Sequence, residues 1–384
     1  MGCKELAIDI PLVMEPVRWP ECCIYRVPKK LREVYKDAYT PKLSSIGPLH
    51  HGECELHAME MLKLRYLREF CYRTGTCHKD IAGVIETNEL KIRRCYEEIF
   101  DISSEDFVKM VVLDSIFIIE HFLRSAASDG LFNRTPACGK DESHTSEEDG
   151  CCNARGDEKH CILSKPLLRK HIQEDLLLLE NQLPFFILDE LHTIFQLARY
   201  YFFSSFEKKT NVDKKNVKHF TDFMRYFYYP WEFNSTGQPI ETLHNAKKVD
   251  EAGVIFKKAD GRRLLDIQFK KSNFTEIFPC FTCSWLLRCL PFLKHFHCLV
   301  NTQTFLEVPR LECHYPFVAY ICNYMVLLDF LINTREDVEL LVEKGIIVNK
   351  LGSNKAAATM VNKLGLEIEQ KRSCYQDLAQ LLNG

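Results

Sequence analysis

Residues 174–191 read EDLLLLENQLPFFILDEL, and this stretch constrains the fold more than any other. Four leucines run into Glu180, Asn181 and Gln182, and Pro184 opens a second apolar block. Proline has no amide hydrogen, and its ring clashes with the carbonyl four residues back, here that of Glu180. A helix crossing this point must break or kink. The break frees backbone groups in an apolar setting. Asn181 and Gln182 carry both donors and acceptors, so they can satisfy those groups. Glu180, Asn181, Gln182 and Pro184 are therefore expected to form a structural joint rather than a catalytic centre. On this reading Glu180→Gln leaves the fold largely intact and Pro184→Leu straightens the joint. Loss of a measured turnover in folded Glu180→Gln would count against it.

Helical periodicity dominates the rest. HAMEMLKLRYLREFCYR (57–73) sets Met59, Leu62, Tyr66 and Phe70 on one face, with Lys63, Arg65, Arg68 and Glu69 elsewhere. A further helix is expected through 86–99. SSEDFVKMVVLDSIFIIEHFLR (103–124) opens with Ser103 and Asp106 in capping-box spacing and is apolar nearly all round, the mark of a buried helix. Asp114 and Glu120 interrupt it without sharing a face as an i,i+4 pair would, so a catalytic acid pair is poorly supported. Near the C-terminus, Thr334 and Asp337 predict a cap and Gly345 a stop. Another helix is expected from Ser353 to Gly365. Between these regions the period changes. AGVIF (252–256) and LLDIQF (264–269) are β-like and flank an Asp260-Gly261 hairpin turn, and FLEVP (305–309) reads as a third strand. The expected fold is mainly α-helical, with a small β-hairpin or three-strand element near 250–310.

The domain reading is an N-terminal tail over 1–18 and one domain over 19–384. Residues 19–132 form a helical part whose ordered N-terminal strap carries Trp19, Ile24, Tyr25 and Val27. Residues 133–163 have almost no large apolar side chains and read as an acidic, disordered insert. Residues 164–230 form a helical core, 231–310 a linker with the small β element, and 311–384 the C-terminal helices.

Composition narrows the function classes. The chain is 46% hydrophobic and 27% charged, so a packed core is expected. A net charge of −3 provides no basic field for nucleic acid. Eighteen cysteines in 384 residues fall below the density of a disulfide scaffold, and their spacing is irregular. His50, His51, Cys54 and His57, and the group Cys280, Cys283, Cys289, His297 and Cys298, are the metal-like clusters. Adjacent histidines point in different directions, and the second group lacks another close cysteine pair, so no metal or cofactor is assigned. No nucleophile elbow, zincin, Walker or dinucleotide motif occurs. No run reaches the length of a membrane span; the best, FVAYICNYMVLLDFLI (317–332), carries Asn323 and Asp329.

Four blocks occur in order: IYRVPKKLREVYKDAYTPKLSSIGPLHHG (24–52), DLLLLENQLPFFILDEL (175–191), AKKVDEAGVIFKKADGRRLLDIQFKK (246–271) and LLDFLINTREDVELLVEKGII (327–347). Together they resemble the plant "domain of unknown function 247" family, from about residue 20 to the C-terminus. The resemblance implies a plant-specific, mainly helical protein whose relatives usually end in a transmembrane helix. Some members are associated with self-incompatibility in grasses, others with stress or development. No catalytic residue is defined for the family, so none is carried over. The sequence departs from the pattern twice. Leu311 runs straight into Glu312-Cys313-His314 where relatives carry a further segment, and the chain stops at SCYQDLAQLLNG before the usual span.

These readings favour non-enzymatic recognition or signalling through an unidentified protein partner, with the 133–161 loop as the variable contact element. The alternatives are an uncharacterised enzyme with a helical pocket, and a truncated, non-functional splice or gene-model product. The resemblance implies membrane association, whereas this chain alone reads as soluble and cytoplasmic.

Overall fold

The structure is a computed structural model that describes residues 19–128, 166–203, 217–228, 237–257 and 308–383, with Leu265 and Ile267. Short gaps fall at 35, 310, 313, 315–318, 350, 366–367 and 369. The described residues are mainly α-helical and contain isolated bridges but no strand. The chain divides into two compact units, Met1–Phe220 and Thr221–Gly384.

The first unit is built around one long buried helix. Its elements are α1 (Lys29–Val34), α2 (Ala58–Thr74), α3 (His78–Arg94), α4 (Ser104–Ser128), α5 (Pro166–Asp175), α6 (Phe185–Leu191) and α7 (Ile194–Phe203). Helix α4 packs against α2, α3, α6 and α7. Its apolar girth explains why: Phe107, Val111, Ile116, Phe117, Ile119 and Phe122 are all buried, so partners can cover every side. Rings finish the packing. Tyr66 stacks on Phe117 with centroids 5.6 Å apart, and Phe122 stacks on Tyr201 at 4.4 Å. The helix starts where Ser103 Oγ accepts from Asp106 N at 3.1 Å. Helix α2 stops at Gly75, whose φ of +69° and N–H bond to Cys71 O at 2.9 Å make a left-handed cap.

The strap lies on this helical body as ordered chain, irregular apart from α1 and short 3-10 turns at Lys36–Ala38 and Pro48–His50. Ile24 forms a parallel bridge with Tyr96, and Cys23, Ile24, Tyr25 and Val27 are buried.

Helix α8 (Phe220–Tyr228) carries the boundary between the units. The second unit adds α9 (Ala246–Glu251), α10 (Tyr320–Leu331), α11 (Arg335–Glu343), α12 (Asn354–Leu364) and α13 (Gln376–Asn383). Leu243, Ala246, Leu327, Val338, Leu341 and Tyr375 contribute to its core. Two caps fix its helices. Thr334 and Asp337 form a reciprocal capping box on α11, and Ser353 Oγ accepts from Ala356 N at 3.1 Å on α12. Gly345, with φ +70°, ends the turn after α11. Asp337 also reaches across: its Oδ1 accepts from Lys247 N at 3.1 Å, tying α9 to α11.

Two expectations change. Val254–Phe256 are irregular, and Val308 and Pro309 are helical, so the described parts of the predicted strands form no ladder. Val254 and Phe256 are partly buried and Ile255 is 61% exposed, but among the described residues no neighbouring chain pairs with them. The turn residues Asp260 and Gly261 lie outside the described residues, as do the 1–18 tail, the 133–163 insert and the Cys280–Cys298 group. Lys63, placed off the apolar face of α2 by periodicity, is buried at 1% exposure. A salt bridge to Asp114 at 2.6 Å explains it, because paired charge can enter a core that unpaired charge cannot.

Candidate functional site

Helix α5 ends at Asp175, and α6 begins only at Phe185. The four leucines Leu176–Leu179 are thus irregular chain, all buried. Pro184 occupies the N-cap position of α6 with φ −58° and ψ 131°. Nine buried residues outside a helix leave many backbone groups without helical partners, and each needs one.

The polar trio meets that need and also holds the strap. Gln182 Nε2 donates to Leu176 O at 2.6 Å and Leu178 O at 2.7 Å, while its Oε1 accepts from Phe220 N at 2.9 Å. Asn181 Nδ2 donates to Asp175 O at 3.0 Å and Ser44 O at 2.9 Å, and its Oδ1 accepts from Ile46 N at 2.6 Å. Glu180 Oε1 accepts from Val27 N at 2.6 Å, Oε2 pairs with Arg26 at 3.2 Å, and Arg32 forms a further ion pair. Burial alone would raise the Glu180 pKa. The nearby His50 ring, the Arg32 guanidinium and the Val27 amide outweigh it and bring the carboxyl down to about 2.

Other side chains extend the clamp along the strap. Asp175 accepts from Lys42 N and Leu43 N at 2.8 Å and from Ser44 N at 3.0 Å. Asp114 Oδ2 accepts from Gly47 N at 2.8 Å, and Lys63 Nζ donates to Ser45 O at 2.7 Å. Burial works against the Lys63 ammonium, but the charges of Asp114 and Glu60 raise its pKa and keep it protonated. Gly47 sits where a Cβ would lie 2.5 Å from Gln182 O and 2.9 Å from Tyr96 Oη, at φ +73°, so only glycine fits there without a shift. The arrangement reads the main chain of residues 42–47 much as a receptor reads a bound peptide: through amides and carbonyls, in one register.

Glu180, Asn181, Gln182 and Pro184 all lie in the non-helical stretch between α5 and α6. It keeps Asp114 and Glu120 apart. Glu120 pairs with Arg73 at 2.7 Å and Arg124 at 3.0 Å, while Asp114 faces the strap. Of the histidine cluster, His50 is buried with Nδ1 2.8 Å from Glu53 Oε1 and Nε2 3.6 Å from Glu180, whereas His51, Cys54 and His57 are exposed. Among the described residues no three His, Cys, Asp or Glu side chains are grouped to hold a metal ion. Sequence reasoning missed Asp175, Lys63, Gly47 and Tyr96 as members. The signal for Asp175 was an acid flush against four leucines; the signal for Gly47 was a glycine between Ile46 and Pro48.

Beside the clamp, α2, the 45–57 segment and the start of α4 enclose a surface cleft of about 570 Å³. Leu56, Leu64, Met110 and Leu113 line it with His57 and Asp101 among the polar groups. Leu64 is 45% exposed, and the neighbouring Met61 is 69% exposed. No helix among the described residues is long and apolar enough to cross a membrane.

Comparison with known proteins places this geometry in a family. The chain is 26% identical over 403 aligned positions to the UPF0481 protein At3g47200 of Arabidopsis thaliana, covering 93% of this chain and 75% of that one. It is 31% identical over 189 positions to the putative UPF0481 protein At3g02645 of Arabidopsis thaliana, covering 48% of this chain and 29% of that one. No solved structure matches. The model of the family described as "Plant protein of unknown function", DUF247, matches residues 24–384. The chain therefore belongs to the DUF247 family of plant proteins.

Proposed function

We propose that this chain acts by protein–protein contact, in recognition or signalling, and that residues 180–184 serve as a structural joint within it. One observation carries the reading. The buried acids and bases of the clamp are each engaged with a backbone group or a counter-charge, whereas Leu64 on the cleft wall and Met61 beside it are exposed. Exposed leucine and methionine beside a cavity favour a macromolecular contact, because such groups lose their hydration cost when a partner covers them.

A photo-crosslinking residue placed at Leu64 of the full chain in plant cells tests this. The control carries the same residue at Lys79 on α3, which is also exposed. The reading predicts a discrete crosslinked protein at Leu64 that is weak or absent at Lys79 and falls severalfold when Asp101→Lys changes the cleft rim. Equal product at both positions, or none at Leu64, overturns it.

A further inference from the structure

We propose that Cys23 and Cys95 form a redox modification site, a buried dithiol that oxidises to a disulfide and so locks the strap onto the end of α3. The backbone sets the pair in register. Cys23 N and Ile24 N both donate to Cys95 O at 2.9 Å, and Glu97 N returns a bond to Ile24 O at 3.0 Å. Ile24 and Tyr96 form a parallel bridge, and each cysteine precedes its bridged residue by one position. Cys95 itself is the C-cap of α3, with φ −71° and ψ −17°, so the two chains meet at one bridge and not along a ladder. The direct bond from Cys23 N to Cys95 O holds the two Cα atoms about 5 Å apart. That spacing falls inside the Cα separation of about 4.4–6.8 Å that a disulfide needs.

Neither cysteine is in a disulfide, and both are buried. The neighbouring Cys23 thiol is the largest influence on Cys95 and lowers its pKa, and Cys95 Sγ donates to Lys91 O at 3.3 Å. Burial opposes this, Lys91 and Lys218 lower the pKa further, and Glu21 raises it. A thiolate at Cys95 is the nucleophile the chemistry requires. By contrast Cys71, near Cys77 across the Gly75 turn, is held up mainly by burial.

The oxidant class is a hydroperoxide such as hydrogen peroxide. The Cys95 thiolate attacks one peroxide oxygen; the S–O bond forms, the O–O bond breaks, and hydroxide leaves and takes a proton to become water. The Cys23 sulfur then attacks the sulfenic sulfur of Cys95. The S–S bond forms, the S–O bond breaks, and hydroxide leaves with the Cys23 proton as water. Two thiols lose two electrons in total, and one peroxide becomes two waters. The product closes residues 23–95 into a loop that contains the strap, α1, α2 and α3. Such a loop removes freedom from the unfolded chain, and oxidation should raise the Tm of the first unit by roughly 5–10 °C.

The test treats the full chain, reduced, with hydrogen peroxide and maps its peptides without reduction. A Cys23–Cys95 crosslinked peptide that dithiothreitol reverses is expected, together with the Tm increase. Cys23→Ser and Cys95→Ser should each abolish the increase while leaving the Tm of the reduced protein within a few degrees. If either variant unfolds, native-state alkylation of the wild type replaces it: peroxide should protect both cysteines together. Sulfinic acid at Cys95 without a crosslink, linkage of Cys95 to Cys22, or oxidation confined to the exposed Cys54 and Cys77 would overturn the proposal.

Discussion

Glu180 and Glu312 are both buried carboxylates, one in each unit, and their surroundings push them in opposite directions. Both are driven toward the neutral form by burial, and both accept backbone amides. Glu180 accepts Val27 N, and Glu312 accepts Ile321 N at 3.2 Å and Cys322 N at 2.7 Å at the start of α10. The difference is counter-charge. At Glu180 burial is outweighed by His50, by the Arg32 guanidinium and by the Val27 amide, and its pKa falls to about 2. For Glu312, burial outweighs the two amides and the more distant charge of Arg225, and its pKa rises to about 7. Amides alone leave a buried acid near neutrality; a guanidinium makes it a permanent anion. The first unit therefore holds its strap with fixed charge, while the second holds a helix start with a group that titrates near neutral pH.

The largest predicted effect breaks the charge side of that comparison. Lys63→Met strands Asp114 as an uncompensated buried acid and should cost the first unit about 3–5 kcal/mol, measured by chemical denaturation. The double change Lys63→Met with Asp114→Leu should recover much of that loss. Next comes Gly47→Ala, which forces a methyl group against Gln182 O at positive φ. It should cost roughly 3 kcal/mol and first loosen residues 42–50, seen as faster amide exchange there.

The pH dependence sharpens the comparison directly. Glu180 has its folded pKa depressed from the ordinary 4.5 to about 2. Its contribution is present above about pH 4.5 and lost as pH falls toward 2. Glu180→Gln should therefore cost about 3 kcal/mol at pH 7 and almost nothing near pH 2. This is a larger effect than the joint reading of the sequence alone allowed. Glu312 has its folded pKa raised from 4.5 to about 7. The folded state binds the extra proton, so stability is full below about pH 4.5 and falls as pH rises through 7. Glu312→Gln should then be less tolerated at pH 5 than at pH 8, by about 3 kcal/mol, with exchange of α10 amides as the readout. Opposite pH slopes for the two variants are the expected outcome; equal slopes would remove the contrast. The smallest effect is local: Ser353→Ala deletes the α12 cap and should cost about 1 kcal/mol, visible as fraying of residues 354–357.

Much of the helical fold was legible in the sequence because it is written locally. The caps at Ser103, Thr334 and Ser353 and the glycine stop at Gly345 depend on neighbours within a turn or so. The all-round apolar girth of α4 announces a central helix. Pro184 and the amide trio mark where a helix must be interrupted, but they do not say how far the interruption runs. Nine residues are non-helical, and the strap that bonds to Glu180 and Asn181 among them arrives from more than a hundred residues away. Lys63 was misplaced for the same reason: periodicity counts a lysine as outward, and only the distant Asp114 makes it inward. AGVIF misled because apolar, β-branched content suits a strand, yet among the described residues no neighbouring chain pairs with it.

The central claim is that the joint holds the strap by its main chain. Amide exchange of residues 42–47 in Asn181→Ala against wild type tests it most directly, because Asn181 Oδ1 accepts the Ile46 amide at 2.6 Å. The account predicts that Ile46 and its neighbours exchange at least about tenfold faster, the equivalent of roughly 1.4 kcal/mol, while α4 amides keep their protection. Unchanged exchange at Ile46 in a folded Asn181→Ala protein would contradict it.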